Sequence, residues 1–501
     1  MDLISQLQQN DLLRYAVLIG YFVVLSILSF YGVHRYQLVY LYFKHRHKRP
    51  QPLGRLEEAP RVTVQLPLYN EVYVVERLID SVCALDYPKD RLQIQVLDDS
   101  NDDTRRIAAD KVREYAQQGF DIEYVHREDR SGFKAGALQH GMKSASGEFI
   151  LIFDADFVPR PEMLQRTLDY FSDPRVGMVQ VRWGHLNWDY SLLTRVQSIL
   201  LDGHFVLESG TRNLSGRFFN FNGTAGVWRR QAIEEAGGWQ HDTLTEDLDL
   251  SYRAQLAGWK FVFLSDFTAP AEIPVDMNSF KSQQFRWAKG SIQTARKMLP
   301  RILKANLPAR LKLEAFYHLT ANISYPLMIL LSLLLFPALV MRLEHGWIEL
   351  MLIDLPLFTA ATFSVSSFYL VSQREIYPDW RRRIKILPLV LGVGIGLSIN
   401  NARAVLEGIF KVDSPFVRTP KYSIRKGMDG WRGKRYRARV GWAPLLEIVL
   451  GLYYLAVIFY AVGHSHFATL PFLMLFAGGY LYTGWLSLSQ SLSLLRPSFG
   501  R

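Results

Sequence analysis

The sequence predicts an α/β domain, built on a parallel-rich twisted sheet, that is joined to α-helical membrane spans. Three observations lead to this prediction. From residue 46 to about residue 310, the 501-residue chain mixes charged and apolar residues as soluble domains do. From residue 319 onward, long apolar runs alternate with short basic connectors. Between residues 62 and 264, short β-rich runs alternate with helical ones, a pattern typical of right-handed crossovers and a parallel sheet.

The composition predicts three regions. Residues 1–45 are expected to form an N-terminal transmembrane anchor, and residues 46–310 a cytoplasmic domain that ends in interfacial helices. Residues 311–501 are expected to form a C-terminal membrane region. This last region includes an interfacial segment, 384–410, and a loop, 411–440.

Five apolar runs are predicted to cross a bilayer, because each approaches the roughly 20 residues that a spanning helix needs. They are residues 15–33, 319–340, 350–371, 444–462 and 467–486. A shorter run, 384–399, has strongly basic flanks on both sides. Basic flanks favour the cytoplasm, so this run is predicted to be interfacial or re-entrant, with six crossings as the alternative. The N-terminus is then outside and the C-terminus cytoplasmic, and we expect a bacterial plasma membrane.

The net charge of +11 indicates a membrane protein. Much of the basic excess lies in connectors beside apolar runs, where anionic lipid attracts each basic residue by about 1 kcal/mol. The sequence shows no nucleic-acid recognition motif, so membrane lipids, and no nucleic acid, are the predicted partners. It also shows no glycine-rich phosphate loop of the G-x-G-x-x-G or Walker type, which disfavours dinucleotide and P-loop enzymes.

Strands and helices alternate through the predicted α/β domain. The strand segments are RVTVQLP, LQIQVLDD, IEYVHR, FILIFDAD and MVQVRW. The helical segments are EVYVVERLIDSVCAL, DTRRIAADKVREYAQQ, GFKAGALQHGMKSA and PEMLQRTLDYF. Ligands of such sheets bind beyond the carboxyl ends of the strands. Acidic residues cluster there, because Asp98 and Asp99 end one strand and Asp154 and Asp156 end another.

The segment FDADF places two carboxylates, Asp154 and Asp156, two residues apart where an apolar strand ends. Hard oxygen ligands with open coordination positions suit Mg²⁺ or Mn²⁺ bound to the phosphates of a substrate. A D-x-D pattern alone is a weak signal, but its place at the carboxyl end of a buried strand strengthens it. The pair is therefore a predicted metal site.

The segment TLTEDLDLSYRAQLAG opens a predicted helix with Thr245, Glu246 and Asp247. A threonine followed by acids fits a capping box at the positive end of a helix, and spacing alone favours this interpretation. In the functional interpretation, Asp247 is a general base that takes a hydroxyl proton and contributes about 10²–10⁴-fold to the rate.

In the segment QQFRWAKG, Gln283, Arg286 and Trp287 stand at i, i+3 and i+4, on one face of a helix. Arg286 can hold a departing diphosphate with a planar fork of donors and a permanent charge. Trp287 offers a flat apolar surface to the C–H face of a sugar ring. An interfacial helix with an aromatic at headgroup level explains the same residues, and both interpretations can hold together.

The chain resembles processive family 2 glycosyltransferases with a GT-A fold. The resemblance is carried by four motifs in order, Asp98-Asp99, Asp154-x-Asp156, Thr245-Glu246-Asp247 and Gln283-x-x-Arg286-Trp287. The flanking segments VQLPLYNE, QVLDDS, GFKAGAL, FNGTAGVWR, EAGGW, AGWKFVF and FVRTPK are most similar to cellulose-synthase-like enzymes related to plant mannan and glucan-backbone synthases. The resemblance runs from about residue 61 to residue 421, and it implies a GT-A domain with a helical transmembrane domain.

The resemblance implies a role for each matching residue. Those implied to bind the nucleotide sugar are Tyr69, Glu71, Asp98, Asp99, Lys134, Asp154, Gln283 and Arg286. Those implied to meet the acceptor are Asn222, Gly223, Thr224, Glu246 and Trp287. Asp247 is implied to be the catalytic base, and Asp154 and Asp156 the ligands of Mg²⁺ or Mn²⁺.

The segment FVRTPK resembles the gating loop that lies over the donor in cellulose synthases. Its residues Phe416, Thr419 and Lys421 match the family pattern, whereas Arg418 stands where the cellulose enzymes carry valine.

The implied activity is an inverting transfer of hexose from GDP-mannose or UDP-glucose to a growing β-linked polysaccharide that crosses the membrane. The expected linkage is β-1,4. One alternative is a single transfer to a lipid acceptor, which would make a glycolipid such as monoglucosyldiacylglycerol. A non-enzymatic nucleotide-sugar-binding membrane protein is the third interpretation. It explains a pocket, but it does not explain Asp247 and Trp287 together.

Overall fold

The structure of the protein is a computed structural model. It describes residues 11–344, 351–414, 416–424, 429–431, 433–436 and 441–495. Some predictions fall partly outside these residues. They concern the first ten residues of the anchor, the start of the run 350–371, parts of the loop 411–440 and the C-terminal end that was placed in the cytoplasm.

The α/β domain is built on one mixed, mostly parallel sheet. Its strands are β1 (Val62–Leu68), β2 (Leu92–Asp98), β3 (Asp121–His126), β4 (Phe149–Ile152), β5 (Val176–His185), β6 (Gly226–Arg229) and β7 (Lys260–Ala271). Across the sheet they follow the order β3-β2-β1-β4-β6-β5-β7. Of these strands, only β6 runs antiparallel to its neighbours. The predicted parallel-rich sheet is therefore confirmed.

The strands β6 and β7 were not predicted. The first is four residues long, too short for a period-2 pattern to stand out. The second contains Asp266 and Pro270, residue types that are depleted in strands, and it lies at the edge of the sheet, where proline is tolerated.

Eighteen α-helices are found among the described residues. Helices α1–α9 are α1 (Asp11–His45), α2 (Val75–Cys83), α3 (Thr104–Gln117), α4 (Phe133–Gly141), α5 (Met163–Thr167), α6 (Leu192–Gly203), α7 (Thr211–Leu214), α8 (Arg230–Glu235) and α9 (Glu246–Leu256). Helices α10–α18 are α10 (Met277–Lys304), α11 (Ala309–Thr320), α12 (Ser324–Glu344), α13 (Met351–Ile376), α14 (Trp380–Arg383), α15 (Leu387–Gly396), α16 (Ser398–Ile409), α17 (Ala443–Gly463) and α18 (Leu470–Leu495). A π-helix, His204–Gly210, joins α6 to α7.

The sheet is buried on both faces. Along β4, Phe149 and Leu151 belong to one apolar cluster, and Ile150 and Ile152 belong to the cluster on the opposite face. A strand covered on both sides reads as a continuous apolar run, as FILI does. Because the helices cover both faces, polar ligands can approach the sheet only from an edge, and the carboxyl edge carries the acidic residues.

Four helical stretches among the described residues are long and apolar enough to cross a membrane. They are Asp11–His45, Ala309–Met341, Ala443–Gly463 and Phe467–Leu492. Trp380–Gly396 and Ser398–Ile409 form a bent pair with an angle of 40°, which is either a re-entrant element or a broken span. The predicted run 350–371 lies mostly in α13, which is not among the four. A helical membrane region is thus confirmed, while the number of crossings stays a prediction.

Helix α10 joins the α/β domain to the membrane helices. The Lys281 ammonium lies 2.6 Å from a Glu447 carboxylate oxygen and 2.7 Å from the Ser487 hydroxyl, and both acid and base are buried. The Asn400 side chain donates to the Lys281 carbonyl at 2.9 Å. Breaking a buried ion pair by removing one partner costs about 3–5 kcal/mol, so this contact holds α10 firmly against α17 and α18.

Candidate active site

A cleft with a cavity volume of about 180 Å³ opens at the carboxyl edge of the sheet. Seventeen of the predicted site residues line it. They are Tyr69, Glu71, Asp99, Lys134, Asp154, Asp156, Asn222, Gly223, Glu246, Asp247, Gln283, Arg286, Trp287, Phe416, Arg418, Thr419 and Lys421. The structure thus brings together residues that are spread over more than 350 positions of the sequence.

The two aspartates that follow β4 are each paired with a lysine. The Lys134 ammonium donates to Asp154 and, at 2.9 Å, to the carbonyl of Gly223. The Lys421 ammonium lies 2.6 Å from a carboxylate oxygen of Asp156. Burial alone would raise the pKa of Asp154, but the charges of Lys134 and Lys421 hold it below its ordinary value. Asp154 is therefore ionised at neutral pH.

These two carboxylates fit a divalent cation that is shared with a substrate. Among the residues that the structure describes, no group of three His, Cys, Asp or Glu side chains could hold a metal alone. Mg²⁺ and Mn²⁺ sites of nucleotide-dependent enzymes, however, use one or two carboxylates and complete the shell with phosphate oxygens and water. The ammonium groups now beside Asp154 and Asp156 show that this place attracts positive charge.

Asp247 lies in the first turn of α9, against Gly223. A Cβ built on Gly223, whose φ is +81°, would stand 3.0 Å from a carboxylate oxygen of Asp247, so only glycine leaves room there. Burial, followed by the charge of Glu246, raises the pKa of Asp247 to about 7. The predicted capping box is wrong, because the side chain of Thr245 caps no helical amide.

Helix α10 brings Gln283, Arg286 and Trp287 to the cleft on one face, as the spacing predicts. Its approach to α9 depends on Gly290. A Cβ at this position would stand 2.5 Å from the side chain and 2.9 Å from the backbone nitrogen of Thr245. The last residue of the QQFRWAKG segment therefore allows the arginine and tryptophan to lie beside the acids that open α9.

The segment 416–421 covers the cleft, and each of its polar side chains pairs with a cleft residue. Arg418 forms an ion pair with Glu71 at 2.8 Å, and Thr419 accepts a hydrogen bond from Arg286 at 2.9 Å. The guanidinium of Arg286 also lies 4.6 Å from the ring centroid of Phe416. Together with the Lys421–Asp156 pair, these contacts hold the segment 416–421 against other residues that line the cleft.

Two predicted site residues, Asp98 and Thr224, do not line the cleft. Asp98 is fully buried and accepts hydrogen bonds from the Tyr124 hydroxyl at 2.8 Å and from the Ser100 amide at 2.9 Å. The hydroxyl of Thr224 accepts from the backbone amide of Asp154 at 2.9 Å. Thr224 thus holds in place a residue that does face the cleft, whereas the partners of Asp98 do not line it.

The sequence interpretation missed Arg130. Its guanidinium lies 3.3 Å from the ring centroid of Tyr69 and 5.0 Å from that of Phe133. It also lines the cleft. Arg130 belongs to the loop between β3 and α4, at the same carboxyl edge as the acids, so its place after a predicted strand was the available signal.

Comparisons with known proteins agree with this geometry. Residues 60–290 match the model of the family described as glycosyltransferase like family 2. A glucomannan 4-beta-mannosyltransferase from Cyamopsis tetragonoloba is 33% identical over 452 residues, which are 87% of this chain and 83% of the relative. A probable glucomannan 4-beta-mannosyltransferase from Arabidopsis thaliana is 40% identical over 303 residues, 57% of this chain and 55% of the relative. The chain thus spans about half the length of that relative.

A solved structure shares the fold. A mannosyltransferase from Pyrobaculum calidifontis, determined in complex with GDP-Man and Mn²⁺, superposes with a TM-score of 0.54 at 18% identity. The superposition covers 79% of this chain and 99% of that one. At this identity the likeness shows the fold alone, and it confirms the predicted GT-A architecture.

The chain belongs to the family 2 glycosyltransferases, in the cellulose-synthase-like group that includes the plant glucomannan mannosyltransferases. The predicted enzyme class is thereby confirmed. The two relatives described above come from plants, so these comparisons do not support the predicted bacterial membrane.

Proposed function

We propose that the protein transfers hexose units from a nucleotide sugar, GDP-mannose or UDP-glucose, to the end of a growing β-1,4-linked glycan. We further propose that the α/β domain faces the cytoplasm and that the product passes through the membrane helices to the other side. The names of the plant relatives and the GDP-Man in the Pyrobaculum structure make GDP-mannose the first donor to test.

The observation that carries the proposal is the meeting of three groups in one cleft. These are the acid pair after β4, the carboxyl of Asp247 with a pKa of about 7, and the Arg286–Trp287 pair. A general base is most effective when its pKa lies near the working pH. The helix that carries Trp287 contacts the membrane helices through Lys281, which supports an acceptor end of the cleft beside them.

In the proposed reaction, Asp247 accepts the proton of an acceptor hydroxyl while that oxygen attacks the anomeric carbon of the donor. The bond from this carbon to the diphosphate oxygen breaks, and the oxygen leaves with the electron pair. One such displacement inverts the centre and converts an α-linked donor into a β-linked product. Arg286 stabilises the negative charge that develops on the leaving diphosphate, from a position that needs no rearrangement.

Asp154 and Asp156 would hold Mg²⁺ or Mn²⁺, which supplies further positive charge to the departing diphosphate. Lys134 lies against the carboxylate of Asp154 and can move with the diphosphate oxygens as they gain charge. Trp287 provides the flat surface on which the last sugar of the acceptor rests. No contact among the described residues favours the single-transfer glycolipid reaction, and a protein that only binds nucleotide sugars would have no use for Asp247.

The test is a donor panel with the purified protein in lipid bilayers. GDP-mannose and UDP-glucose, each labelled in the sugar, are supplied with Mn²⁺ or Mg²⁺, and the label is followed into polymer, lipid extract and free sugar. We expect alcohol-insoluble polymer that a β-1,4-specific glycanase digests, and none with the D247N variant. Label confined to the lipid extract would replace the proposal with the glycolipid reaction, and no transfer from either donor would contradict it.

Passage through the membrane needs its own measurement. Vesicles that carry the protein with its α/β domain outward receive labelled donor, and the glycanase is then added outside before and after detergent. Polymer that is digested only after detergent supports passage into the vesicle. Polymer that is fully digested without detergent would contradict it.

A further inference from the structure

An unusual helical element contacts Asn222, one of the residues that line the cleft. Helix α6 runs to Gly203 and then widens into the π-helix His204–Gly210 before α7 begins. Stretches of π-helix are rare and often occur at functional sites. His204 is the first residue of this stretch, and 26% of its side chain is exposed.

The imidazole of His204 bridges two other side chains. Its Nδ1 lies 2.7 Å from a carboxylate oxygen of Glu208, one π-helical turn further on, and its Nε2 lies 2.7 Å from Nδ2 of Asn222. A carboxylate can only accept, so the proton of the imidazole sits on Nδ1. Nδ2 of Asn222, which can only donate, faces Nε2, so Nε2 is the acceptor of this hydrogen bond and the contact sets the direction of the amide.

This arrangement leaves one atom without a partner. Among the described residues, no group donates to the buried Oδ1 of Asn222, although the residue lines the cleft. A buried acceptor without a donor is costly, so a ligand that donates a hydrogen bond to it is favoured. A Cβ on the next residue, Gly223, would stand 3.0 Å from Asp247, and the Gly223 carbonyl accepts a hydrogen bond from Lys134, so Asn222 lies close to the proposed base.

We infer that His204, oriented by Glu208, is a positioning residue that holds Asn222 so that its Oδ1 accepts a hydrogen bond from a sugar hydroxyl next to Asp247. The inference rests on the proposed transfer of sugars. It adds to that reaction a pair, His204 and Glu208, that touches no reacting atom but decides which end of the Asn222 amide faces the substrate.

The test is a double-mutant cycle on the full-length protein in lipid. The variant H204A should lower kcat for polymer formation about three- to tenfold, the usual worth of one hydrogen bond, without changing the dissociation constant of the donor. N222A should show a similar loss. Because His204 acts through Asn222, the double variant should lose no more than N222A alone.

Two further variants separate positioning from general damage. H204Q can donate to Glu208 and accept from Asn222, and it should restore kcat to near the wild-type value. H140A changes an exposed histidine on α4 and should behave as wild type.

Additive losses in the cycle, or an H204A variant with unchanged kcat, would overturn the positioning role while the proposed function stands. Weaker donor binding in H204A would likewise assign His204 a structural role instead. Wild-type protein that transfers no sugar from either donor would overturn both.

Discussion

Two acidic pairs lie at the carboxyl ends of β2 and β4, the strands on either side of β1, and their surroundings differ. Asp98 and Asp99 follow β2, whereas Asp154 and Asp156 follow β4. Asp98 is fully buried, and Asp99 is bound by two nitrogens of the Arg127 guanidinium, at 2.6 and 2.8 Å. The side chains of Asp154 and Asp156 keep 29% and 15% of their surface exposed.

The partners explain what this difference means. A guanidinium that binds both oxygens of a carboxylate, like the fixed hydroxyl and amide at Asp98, forms a rigid contact that a ligand does not displace. The lysines at Asp154 and Asp156 contact one oxygen each and come from flexible side chains. We therefore interpret the β2 pair as a rigid framework, of which Asp99 forms a fixed part of the cleft wall, and the β4 pair as the place where a cation and a diphosphate exchange with lysine.

The largest effect should come from Asp247, which lines the same cleft as the β4 pair. We expect D247N to lower transfer about 10²–10⁴-fold, because the amide has nearly the same shape but accepts no proton. Donor binding should stay within a factor of about two, since the base makes its essential contact in the transition state. Single-turnover rates and donor titrations measure the two quantities. Substantial turnover in D247N would remove the assignment of the base.

Next in size is the β4 pair itself. D154N should lower transfer about 10²–10³-fold, because a divalent ion contributes several kcal/mol to stabilising the leaving group. Mn²⁺ titration of the variant, followed by electron paramagnetic resonance, should show weaker binding with or without donor. D98N serves as the matched control and should bind Mn²⁺ as wild type does. Weaker Mn²⁺ binding in D98N, with unchanged binding in D154N, would contradict the assignment of the metal to the β4 pair.

The pH dependence should be smaller but distinctive. The raised pKa of Asp247, about 7, means that the carboxyl is protonated, and inactive as a base, below that pH. Initial kcat/KM at low donor concentration should therefore fall about tenfold for each pH unit below 7 and level off above it. A profile that stays flat down to about pH 5 would show that another group accepts the proton.

The framework pair should affect stability rather than transfer. D98N replaces one of two buried oxygens that each accept a hydrogen bond, and it should lower the free energy of unfolding by about 1–3 kcal/mol. The thermal unfolding midpoint in detergent checks this value against D154N, which should be less destabilised because its side chain is partly exposed. Equal losses of stability in D98N and D154N would argue against separate roles for the two pairs.

The smallest expected effect concerns Lys421, which lies beside Asp156 at the predicted metal position. Without donor, K421M should bind Mn²⁺ about two- to fivefold more tightly, because no ammonium competes for Asp156. The exposed surface residue Lys143 gives the control variant K143M. Weaker Mn²⁺ binding in K421M would mean that Lys421 supports the metal position rather than competing for it.

Much of the site could be predicted from the sequence because its signals are local. The apolar run before Asp154 identifies a buried strand, and the spacing of Arg286 and Trp287 identifies one helix face. The predicted capping box at Thr245 is wrong because a residue distant in sequence decides the surroundings of this threonine. Its spacing fits a cap, but the neighbouring Gly290 brings α10 so close that the threonine packs against that helix instead.

The sequence by itself determined five of the seven strands, the apolar helices of the membrane region and the family, because alternation, apolar length and motif order are properties of consecutive residues. Only the tertiary structure decided which acids are framework and which face the ligand. The partner of Asp98 lies 26 positions away and that of Asp156 lies 265 away. Residue type alone does not show which distant side chain folding brings to a carboxylate, and that neighbour sets whether the carboxylate is locked or exchangeable.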